Sequence, residues 1–245
     1  MIAPAGRVTL EIAANSLASA LAAQDGGADR IELCENLGEG GCTPSYGTLA
    51  MTRERLRIPL YVLVRPRAGD FLYDALERDT MLRDVEMCVR LGCDGIVIGA
   101  LTQDGDVDAA LCRELVHAAG SLGVTFHRAF DVARDQARAL DDAIALGCER
   151  VLTSGAQGRA IDGADAIASL AHRAAGRIRL MAGAGVTPAN VRELVDRTGV
   201  RDVHASARAA CASGMRMRRE LPGLAAEHWR SSADRVRALR SALDA

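Results

Sequence analysis

Val124-Thr125-Phe126-His127-Arg128-Ala129-Phe130-Asp131 joins a short apolar segment to a cluster of polar side chains. The apolar residues predict a strand over 123–127, and this strand ends on a His–Arg pair with an Asp three residues later. An imidazole, a permanent cation and a carboxylate therefore gather at one strand end. Such polar clusters are typical of parallel strands whose carboxyl ends form a binding or catalytic face.

The same alternation of apolar strand and helical segment recurs along all 245 residues. The predicted strands cover 8–12, 30–34, 59–64, 95–99, 123–127, 150–153, 178–182 and 202–205. The predicted helices cover 16–25, 45–55, 75–91, 108–120, 135–146, 160–174, 188–197 and 228–243. Eight strand–helix pairs in a chain of this length predict an α/β fold, a single (β/α)8 TIM barrel.

One domain over 1–245 is the expected organisation, because no linker or low-complexity segment divides the chain. We expect a barrel core over about 8–207, an irregular segment over 208–227 and a closing helix over about 228–243. Two long loops, 35–45 and 66–73, follow the second and third strands and are rich in polar groups. Loops after barrel strands build the functional face, so these two are expected to border the site.

Composition excludes several classes of function. All 30 basic residues are Arg, and the chain contains no Lys. Schiff-base chemistry needs an amine that can lose its proton, which Arg cannot do, so a class I aldolase mechanism is excluded. The net charge of −2 gives no reason to expect binding to nucleic acid. No apolar stretch is long enough for a bilayer and no signal-peptide pattern is present, so a cytoplasmic protein without membrane association is expected.

Glu11 and Glu32 lie inside apolar strands, where alternate residues point into a barrel. A buried charge must be paired, bound to a cation or neutralised. The two Glu are therefore expected near the top of the interior. Either they pair with an Arg such as Arg65 or Arg128, or they act in catalysis or metal binding. His127 and His204 end the fifth and eighth strands, and Glu11, Glu32 and His127 are the candidates for proton transfer.

A second group of residues suits an anionic ligand. Arg65 ends the third strand, and its planar guanidinium matches a carboxylate or phosphate, or pairs with Glu11 or Glu32. The turn containing Gly183 and Gly185 leads to a helix with Thr187 as the expected N-cap, and its N–H groups could bind an anion. The remaining candidates for this ligand are Arg128, Ser154, His204 and Ser206. Asp131 is expected to cap the next helix, or alternatively to orient Arg128.

The seven Cys residues are read as reduced thiols, because the count is odd and the protein is expected in the cytoplasm. Cys34 and Cys42 differ from the others because they flank a Gly-rich loop at the predicted barrel mouth. Thiolates are soft ligands, so these two could hold Cu(I); a pair of inert thiols is the alternative.

Seven segments together resemble the copper homeostasis protein CutC family. They are Leu10-Glu11-Ile12, Gly27-Ala28-Asp29-Arg30-Ile31-Glu32-Leu33-Cys34, Glu39-Gly40-Gly41-x-Thr43-Pro44-Ser45, Val64-Arg65-Pro66-Arg67-x-Gly69-Asp70-Phe71, Thr125-Phe126-His127-Arg128-Ala129-Phe130-Asp131, Val151-Leu152-Thr153-Ser154-Gly155 and Met181-Ala182-Gly183-Ala184-Gly185-Val186. The resemblance implies a cytoplasmic, homo-oligomeric barrel that binds copper and acts in copper homeostasis, with Cys34 as the candidate Cu(I) ligand.

Two functional hypotheses follow. The first is the copper-binding role implied by the resemblance. The second is an enzyme that acts on a small anionic or phosphorylated substrate, held by Arg65 and the Gly183–Gly185 turn, with Glu11, Glu32 or His127 moving the proton. In a variant of the second hypothesis, Glu11, Glu32 and His127 bind a divalent metal ion.

Overall fold

The structure, a computed structural model, describes residues 7–217, 219, 221 and 227–245. Eight parallel strands pair in chain order, and the first pairs with the eighth to close a barrel. The strands are β1 (Thr9–Ala14), β2 (Arg30–Leu33), β3 (Leu60–Leu63), β4 (Gly95–Ile98), β5 (Gly123–Phe126), β6 (Arg150–Thr153), β7 (Arg179–Gly183) and β8 (Asp202–Ala205). The predicted (β/α)8 barrel is confirmed.

The helices that follow these strands are α1 (Leu17–Asp25), α2 (Tyr46–Arg55), α3 (Ala75–Arg90), α4 (Ala109–Ala119), α5 (Gln136–Ala145), α6 (Ala164–Ala174), α7 (Val191–Thr198) and α8 (Ala233–Asp244). Several begin at a side chain that accepts hydrogen bonds from the first turn, as helix starts require. The clearest case is α3, where Asp74 and Glu77 form a reciprocal capping box. None of the described helices combines the length and the apolar character that a membrane span requires.

The strand alternation separates an apolar core from a polar barrel interior. Outward-facing residues pack under the helices in the main core, among them Leu10, Ile12, Leu33, Val62, Ile96, Phe126 and Val203. Residues of the opposite parity point inward and are buried although polar, among them Glu11, Arg30, Glu32, Thr125, Arg150 and Asp202. The interior therefore contains a layered polar network beside a small apolar cluster of Leu63 and Val97, whereas most barrels of this class are filled with apolar side chains.

The end of the chain corrects one prediction. Residues 228–231 do not belong to the closing helix but form β10 (His228–Ser231), which pairs antiparallel with β9 (Arg208–Cys211) in the segment expected to be irregular. Ser231 N donates to Ser19 Oγ at 3.1 Å, and this bond anchors the hairpin to α1. The helical pattern begins only at Ala233, because the strand is specified by pairing with a distant segment rather than by local periodicity.

Two helix starts were also placed too early. Helix α6 begins at Ala164 rather than at 160, after a loop that contacts the end of β7. Helix α7 begins at Val191 with Asn190, not Thr187, in the N-cap position. The Asn190 side chain accepts from Thr187 N (2.8 Å) and donates to the Gly185 carbonyl (2.9 Å), so it holds the preceding loop in place.

Candidate functional site

The lower layer of the barrel interior consists of Glu11, Arg30, Tyr61, Arg150 and Asp202. Arg30 Nε donates to Glu11 Oε2, and Arg30 also lies 3.4 Å from Asp202. Arg150 Nε lies 3.4 Å from the same Asp202 carboxylate. The Tyr61 ring lies beneath both guanidinium groups, at 5.1 and 5.4 Å from their central carbons. This layer is an ion-pair network in which opposite charges compensate one another, and it extends to Arg179 at Asp202 (2.7 Å) and to Glu149 at Arg150 (2.9 Å).

Glu11 connects this network to the layer above. Its second oxygen, Oε1, lies 2.7 Å from His204 Nδ1. Burial alone would raise the Glu11 pKa, but the Arg30 charge and the His204 hydrogen bond lower it to about 2. Burial lowers the His204 pKa, but the Glu32 charge and the Glu11 contact outweigh it and raise the pKa above its ordinary value. Arg30, Glu11 and His204 thus form a chain that stabilises a protonated imidazole.

The upper layer consists of Glu32, Arg65, His127 and His204. Glu32 differs sharply from Glu11 because Oε2 is buried and makes no hydrogen bond within the described part of the chain. Burial raises the Glu32 pKa to about 7, the Glu11 charge adds to the rise, and His204 and Arg30 oppose it. A carboxyl group that exchanges its proton near neutral pH is suited to general acid–base chemistry.

His127 lies against Phe71, with the two ring centroids 5.0 Å apart. Its Nδ1 accepts a hydrogen bond from Ala129 N at 3.1 Å, so the proton of the neutral ring sits on Nε2. Burial and the nearby Arg65 charge lower the His127 pKa to about 3, which keeps the ring neutral. Nε2 is buried without a partner among the described residues, so this side chain offers a neutral N–H donor.

Arg65 is held by backbone carbonyls. Its two terminal nitrogens donate to Glu39 O, Gly41 O and Gly69 O at 3.0, 2.7 and 2.7 Å. The sequence suggested Glu11 or Glu32 as partners, but within the described chain Arg65 pairs with no carboxylate, and Nε has no hydrogen-bond partner. Arg30 takes the place at Glu11. The buried Arg65 charge therefore remains available to an anion.

The upper layer forms the floor of a cavity of about 910 Å³ at the carboxyl ends of the strands. Glu11 was also expected at this cavity, but it faces the interior one layer lower and does not line it. The walls come from the loops after β2, β3, β5, β7 and β8 and from the terminal hairpin. They include Leu37, Gly40, Phe71, Arg128, Asp131, Val132, Gly185, Thr187, Ser206, Arg208, Trp229 and Arg235.

Gly185 and Ser206, both predicted anion ligands, line this cavity side by side after β7 and β8. Next to them, Ala184 (φ 85°) and Ala207 (φ 47°) hold left-handed conformations that L-residues rarely adopt. Such strain concentrates at functional sites. Gly183 lies outside the lining; a Cβ there would come within 2.6 Å of Leu152, so its role is close packing against β6 and His204.

Asp131 does not cap the following helix, because Asp135 holds that position at the start of α5. Instead Asp131 accepts from Arg128 Nε (2.7 Å), Thr153 Oγ1 (2.5 Å) and Ser154 N (3.1 Å). The orienting role for Arg128 is therefore the one that the structure supports. Ser154 is fully buried behind Asp131 and does not line the cavity, whereas Arg128 does.

Cys34 lies inside the barrel beneath the Gly-rich loop and is fully buried with Tyr61, Leu63 and Val97. Its Sγ lies 3.8 Å from the Ala14 carbonyl. Burial, followed by the Glu32 charge, raises the Cys34 pKa well above its ordinary value, so the thiol keeps its proton. Cys42 is partly exposed on the loop above.

Among the described residues, one group of three side chains has the spacing of a metal site. One donor atom each from Glu11, Glu32 and His204 lies within 4.8 Å of the others. The predicted divalent variant named His127 as the third ligand, and this was wrong. The His127 ring instead packs on Phe71 with Nδ1 bonded to the backbone, so His204 takes its place beside the two Glu.

Several site residues were missed from the sequence. Arg30 shares the strand parity of Glu32, so alternation alone could have placed it inside the barrel. Trp229 and Arg235 were not recognised because they fall in the predicted helix over 228–243. Arg208 was not recognised because it falls in the segment expected to be irregular. No local signal marks the last three, because only the packing of the hairpin and α8 on the barrel brings them to the cavity.

The fold and the site together define a (β/α)8 barrel protein with a titratable, Arg-containing cavity at the carboxyl ends of its strands. Residues 8–209 match the CutC family. The chain is 64% identical over 204 residues to a CutC family protein of Xanthomonas axonopodis pv. citri, covering 83% of this chain and 85% of the relative. It is 56% identical over 241 residues to one of Chromobacterium violaceum, covering 96% and 98%. The chain belongs to the CutC family.

Solved structures agree. The copper homeostasis protein CutC from Streptococcus agalactiae superposes with a TM-score of 0.78 at 34% identity, covering 81% of this chain and 98% of that one. A phosphoribosylanthranilate isomerase from Thermotoga maritima superposes with a TM-score of 0.60 at 17% identity, covering 97% and 98%. At that identity the second similarity shows the shared fold alone.

Proposed function

We propose that this protein is an enzyme that binds a small anionic molecule and catalyses proton transfer to or from that molecule. Seven buried side-chain polar atoms of the described residues lack a hydrogen-bond partner. The observation that carries the proposal is that three of them, Glu32 Oε2, Arg65 Nε and His127 Nε2, belong to residues that line the cavity floor. Buried polar groups are nearly always satisfied within a protein, so three on one cavity floor point to a ligand that completes them.

The anion is assigned to Arg65. A buried guanidinium without a carboxylate partner is costly unless an anion compensates it. The hydrogen bonds to the carbonyl oxygens of Glu39, Gly41 and Gly69 orient the Arg65 guanidinium, and neutral carbonyls do not cancel its charge. Arg65 in this role binds and stabilises negative charge that develops on the substrate, and the neutral Nε2–H of His127 assists as a second donor.

The proton is assigned to Glu32. Its carboxyl group lines the cavity, and no ion pair holds it in one charge state within the described chain. His204 lies beside it. Against the effect of burial, the Glu32 and Glu11 carboxylates raise the His204 pKa above its ordinary value, and the positive charge of His204 in turn favours the deprotonated form of Glu32. Glu32 therefore acts as base or acid. Glu11 does not line this cavity and acts as a positioning residue for His204. Because the chain contains no Lys, this acid–base chemistry does not involve a Schiff base on a Lys side chain.

The test is solvent-exchange catalysis. We expect the protein to catalyse deuterium incorporation from D2O into at least one member of a panel of small phosphorylated and carboxylated compounds with acidic C–H bonds, followed by NMR. Glu32→Gln should slow this exchange by about 10²–10⁴-fold, because it removes the acid–base group but keeps its shape.

Glu54→Gln is the matched control. Glu54 lies in α2 with an exposed side chain outside the cavity lining, so its exchange rate should be that of the unmodified protein. Equal rates in the Glu32 variant and the unmodified protein would remove Glu32 from the mechanism. No exchange with any member of the panel would contradict proton transfer on these classes of compound.

Copper binding in copper homeostasis is the second candidate, and the name of the Streptococcus agalactiae structure supports it. Cu(I) prefers deprotonated thiols, and the buried, protonated Cys34 does not fit that requirement. The Glu11, Glu32 and His204 group supplies oxygen and nitrogen donors, which suit Cu(II) or another divalent ion. The two donor sets therefore predict different oxidation states.

Cu(I) titration of the reduced protein against a competing chelator tests Cys34. We expect only weak binding that Cys34→Ser leaves unchanged, because the thiol is buried and protonated. A tight site lost in Cys34→Ser would restore the Cu(I) assignment. Electron paramagnetic resonance of the protein with Cu(II) tests the other set: a nitrogen- and oxygen-ligated signal lost in Glu32→Gln would support it.

We further infer a cytoplasmic homo-oligomer that binds neither nucleic acid nor membrane. The net charge of −2 supports the exclusion of nucleic acid. Size-exclusion chromatography with light scattering tests the oligomeric state, and a mass of 25.8 kDa would contradict it.

A further inference from the structure

The terminal hairpin builds one wall of the cavity. Arg208 in β9, Trp229 in β10 and Arg235 in α8 line it together, and we call these three residues the hairpin wall. The family match ends at residue 209, so Trp229 and Arg235 lie beyond it. The wall therefore lies outside the part of the barrel that holds Glu32 and Arg65.

The hairpin wall is anchored to the barrel. Asn15 Nδ2 donates to Trp229 O at 2.8 Å, and Ser232 N donates to Ala207 O at 3.0 Å. Arg235 donates to the Arg208 carbonyl, which connects the helix to the hairpin. A binding surface held in this way loses little freedom when a ligand arrives.

The charges of the wall are uncompensated. Within the described chain neither Arg208 nor Arg235 forms an ion pair with a carboxylate, whereas Arg128 across the cavity pairs with Asp131. Arg208 directly follows Ser206 and Ala207 at the end of β8, where Gly185 also lines the cavity. An anionic group placed here would meet two guanidinium groups.

The wall is also aromatic. Trp229 is 51% exposed although it lines the cavity, and the Arg208 guanidinium lies 5.9 Å from its ring. Phe71 and Val132 contribute apolar surface elsewhere in the lining. A large aromatic ring left half exposed beside the Arg208 guanidinium suits a ligand that carries an aromatic group next to its negative charge.

We propose that the hairpin wall is a specificity element that selects a ligand bearing an aromatic group beside a negative charge. Arg208 and Arg235 bind this charge at the wall, Trp229 contacts the ring, and Arg65 keeps its separate role at the cavity floor. This deepens the proposed function, since it names the ligand class of the same cavity. It does not require that Glu32 transfers a proton.

The test compares phenyl phosphate with methyl phosphate by calorimetry. Phenyl phosphate should bind about 5- to 100-fold more tightly, the range expected for stacking on an aromatic side chain. Trp229→Ala should lower that ratio at least fivefold. Trp229 is the single Trp of the chain, so phenyl phosphate should also change the intrinsic fluorescence of the unmodified protein.

Two matched variants act as controls. His228→Ala and Arg230→Gln alter exposed neighbours in β10 that do not line the cavity, and both should bind like the unmodified protein. Arg235→Gln should weaken both phosphates at least fivefold and leave their ratio unchanged. Circular dichroism confirms that each variant is folded.

An equal affinity for the two phosphates, or a ratio that Trp229→Ala leaves intact, would overturn the specificity proposal. Glu32→Gln separates it from the proposed function. Selective phenyl phosphate binding retained in Glu32→Gln supports the hairpin wall even if no proton exchange is found. Proton exchange on ligands whose affinity does not change in Trp229→Ala would overturn the proposal for the hairpin wall but not the proposed function.

Discussion

The lower and upper layers of the barrel interior contain the same kinds of side chain but differ in how these are partnered. In the lower layer, Glu11 and Asp202 compensate Arg30 and Arg150. In the upper layer, Glu32 and Arg65 are equally buried, yet neither forms an ion pair within the described chain. The lower layer compensates its own charges, whereas these two groups have no charge partner among the described residues. A buried ion pair is therefore a poor indicator of function, and an unpaired buried group in a cavity is a better one.

The largest expected effect comes from breaking the lower layer. Glu11→Ala leaves the buried Arg30 charge without its main partner, so the free energy of unfolding should fall by about 3–5 kcal/mol. Glu32→Gln should cost far less, because Glu32 forms no ion pair in the described chain. Denaturant unfolding followed by circular dichroism measures both. Equal losses in the two variants would mean that the layers do not differ in the way described.

The second effect is a dependence of stability on pH, and it arises from the charge of Glu32 in the upper layer. Its pKa rises from 4.5 to about 7 on folding, because burial disfavours the charged form. Its contribution to stability is therefore complete below pH 4.5 and is lost as the pH rises to about 7.

Glu32→Gln mimics the protonated form, so relative to this variant the unmodified protein should lose up to about 3 kcal/mol between pH 4.5 and 7. The difference reports Glu32 together with His204, because the Glu32 charge raises the His204 pKa. A pH-independent difference would show that Glu32 keeps an ordinary pKa.

The smallest effect tests the packing under the upper layer. A Cβ at Gly99 would lie 2.5 Å from the His127 ring, so Gly99→Ala must displace that ring. Overpacking typically costs 1–3 kcal/mol, and we expect about 1 kcal/mol because the ring borders a cavity. Gly47→Ala is the control: nothing lies within 4 Å of its Cβ position in α2, so it should be neutral or slightly stabilising. Thermal unfolding that shows no difference between the two variants would contradict the close packing of His127.

The sequence predicted which strand residues point into the barrel, but it did not predict which charged side chains pair with one another. Alternation placed Glu11 and Glu32 inside the barrel, and both are there. An Arg such as Arg65 or Arg128 was expected as their partner, with a catalytic or metal-binding role as the alternative. The structure instead joins Arg30 to Glu11 and gives Arg65 three backbone carbonyls. Pairing depends on strand register and on loops that fold back over the barrel, neither of which local patterns contain.

The sequence also did not predict how deeply a residue is buried in the barrel. Cys34 follows β2 near a Gly-rich loop, which suggested an accessible thiol at the mouth. The loop instead closes over it, with Gly41 directly above, so the thiol is buried and protonated. Loop closure is a tertiary event and leaves no mark in the residues next to the thiol.

The sequence by itself determined the eight strand–helix pairs, the inward direction of the two Glu side chains and the exclusion of Schiff-base chemistry, because these follow from period, parity and composition. Only the tertiary structure decided which charges are compensated, that His204 rather than His127 joins Glu11 and Glu32, and that Trp229 reaches the cavity. Each of these is a contact between segments far apart in the chain, set by how the barrel closes and how the hairpin packs on it.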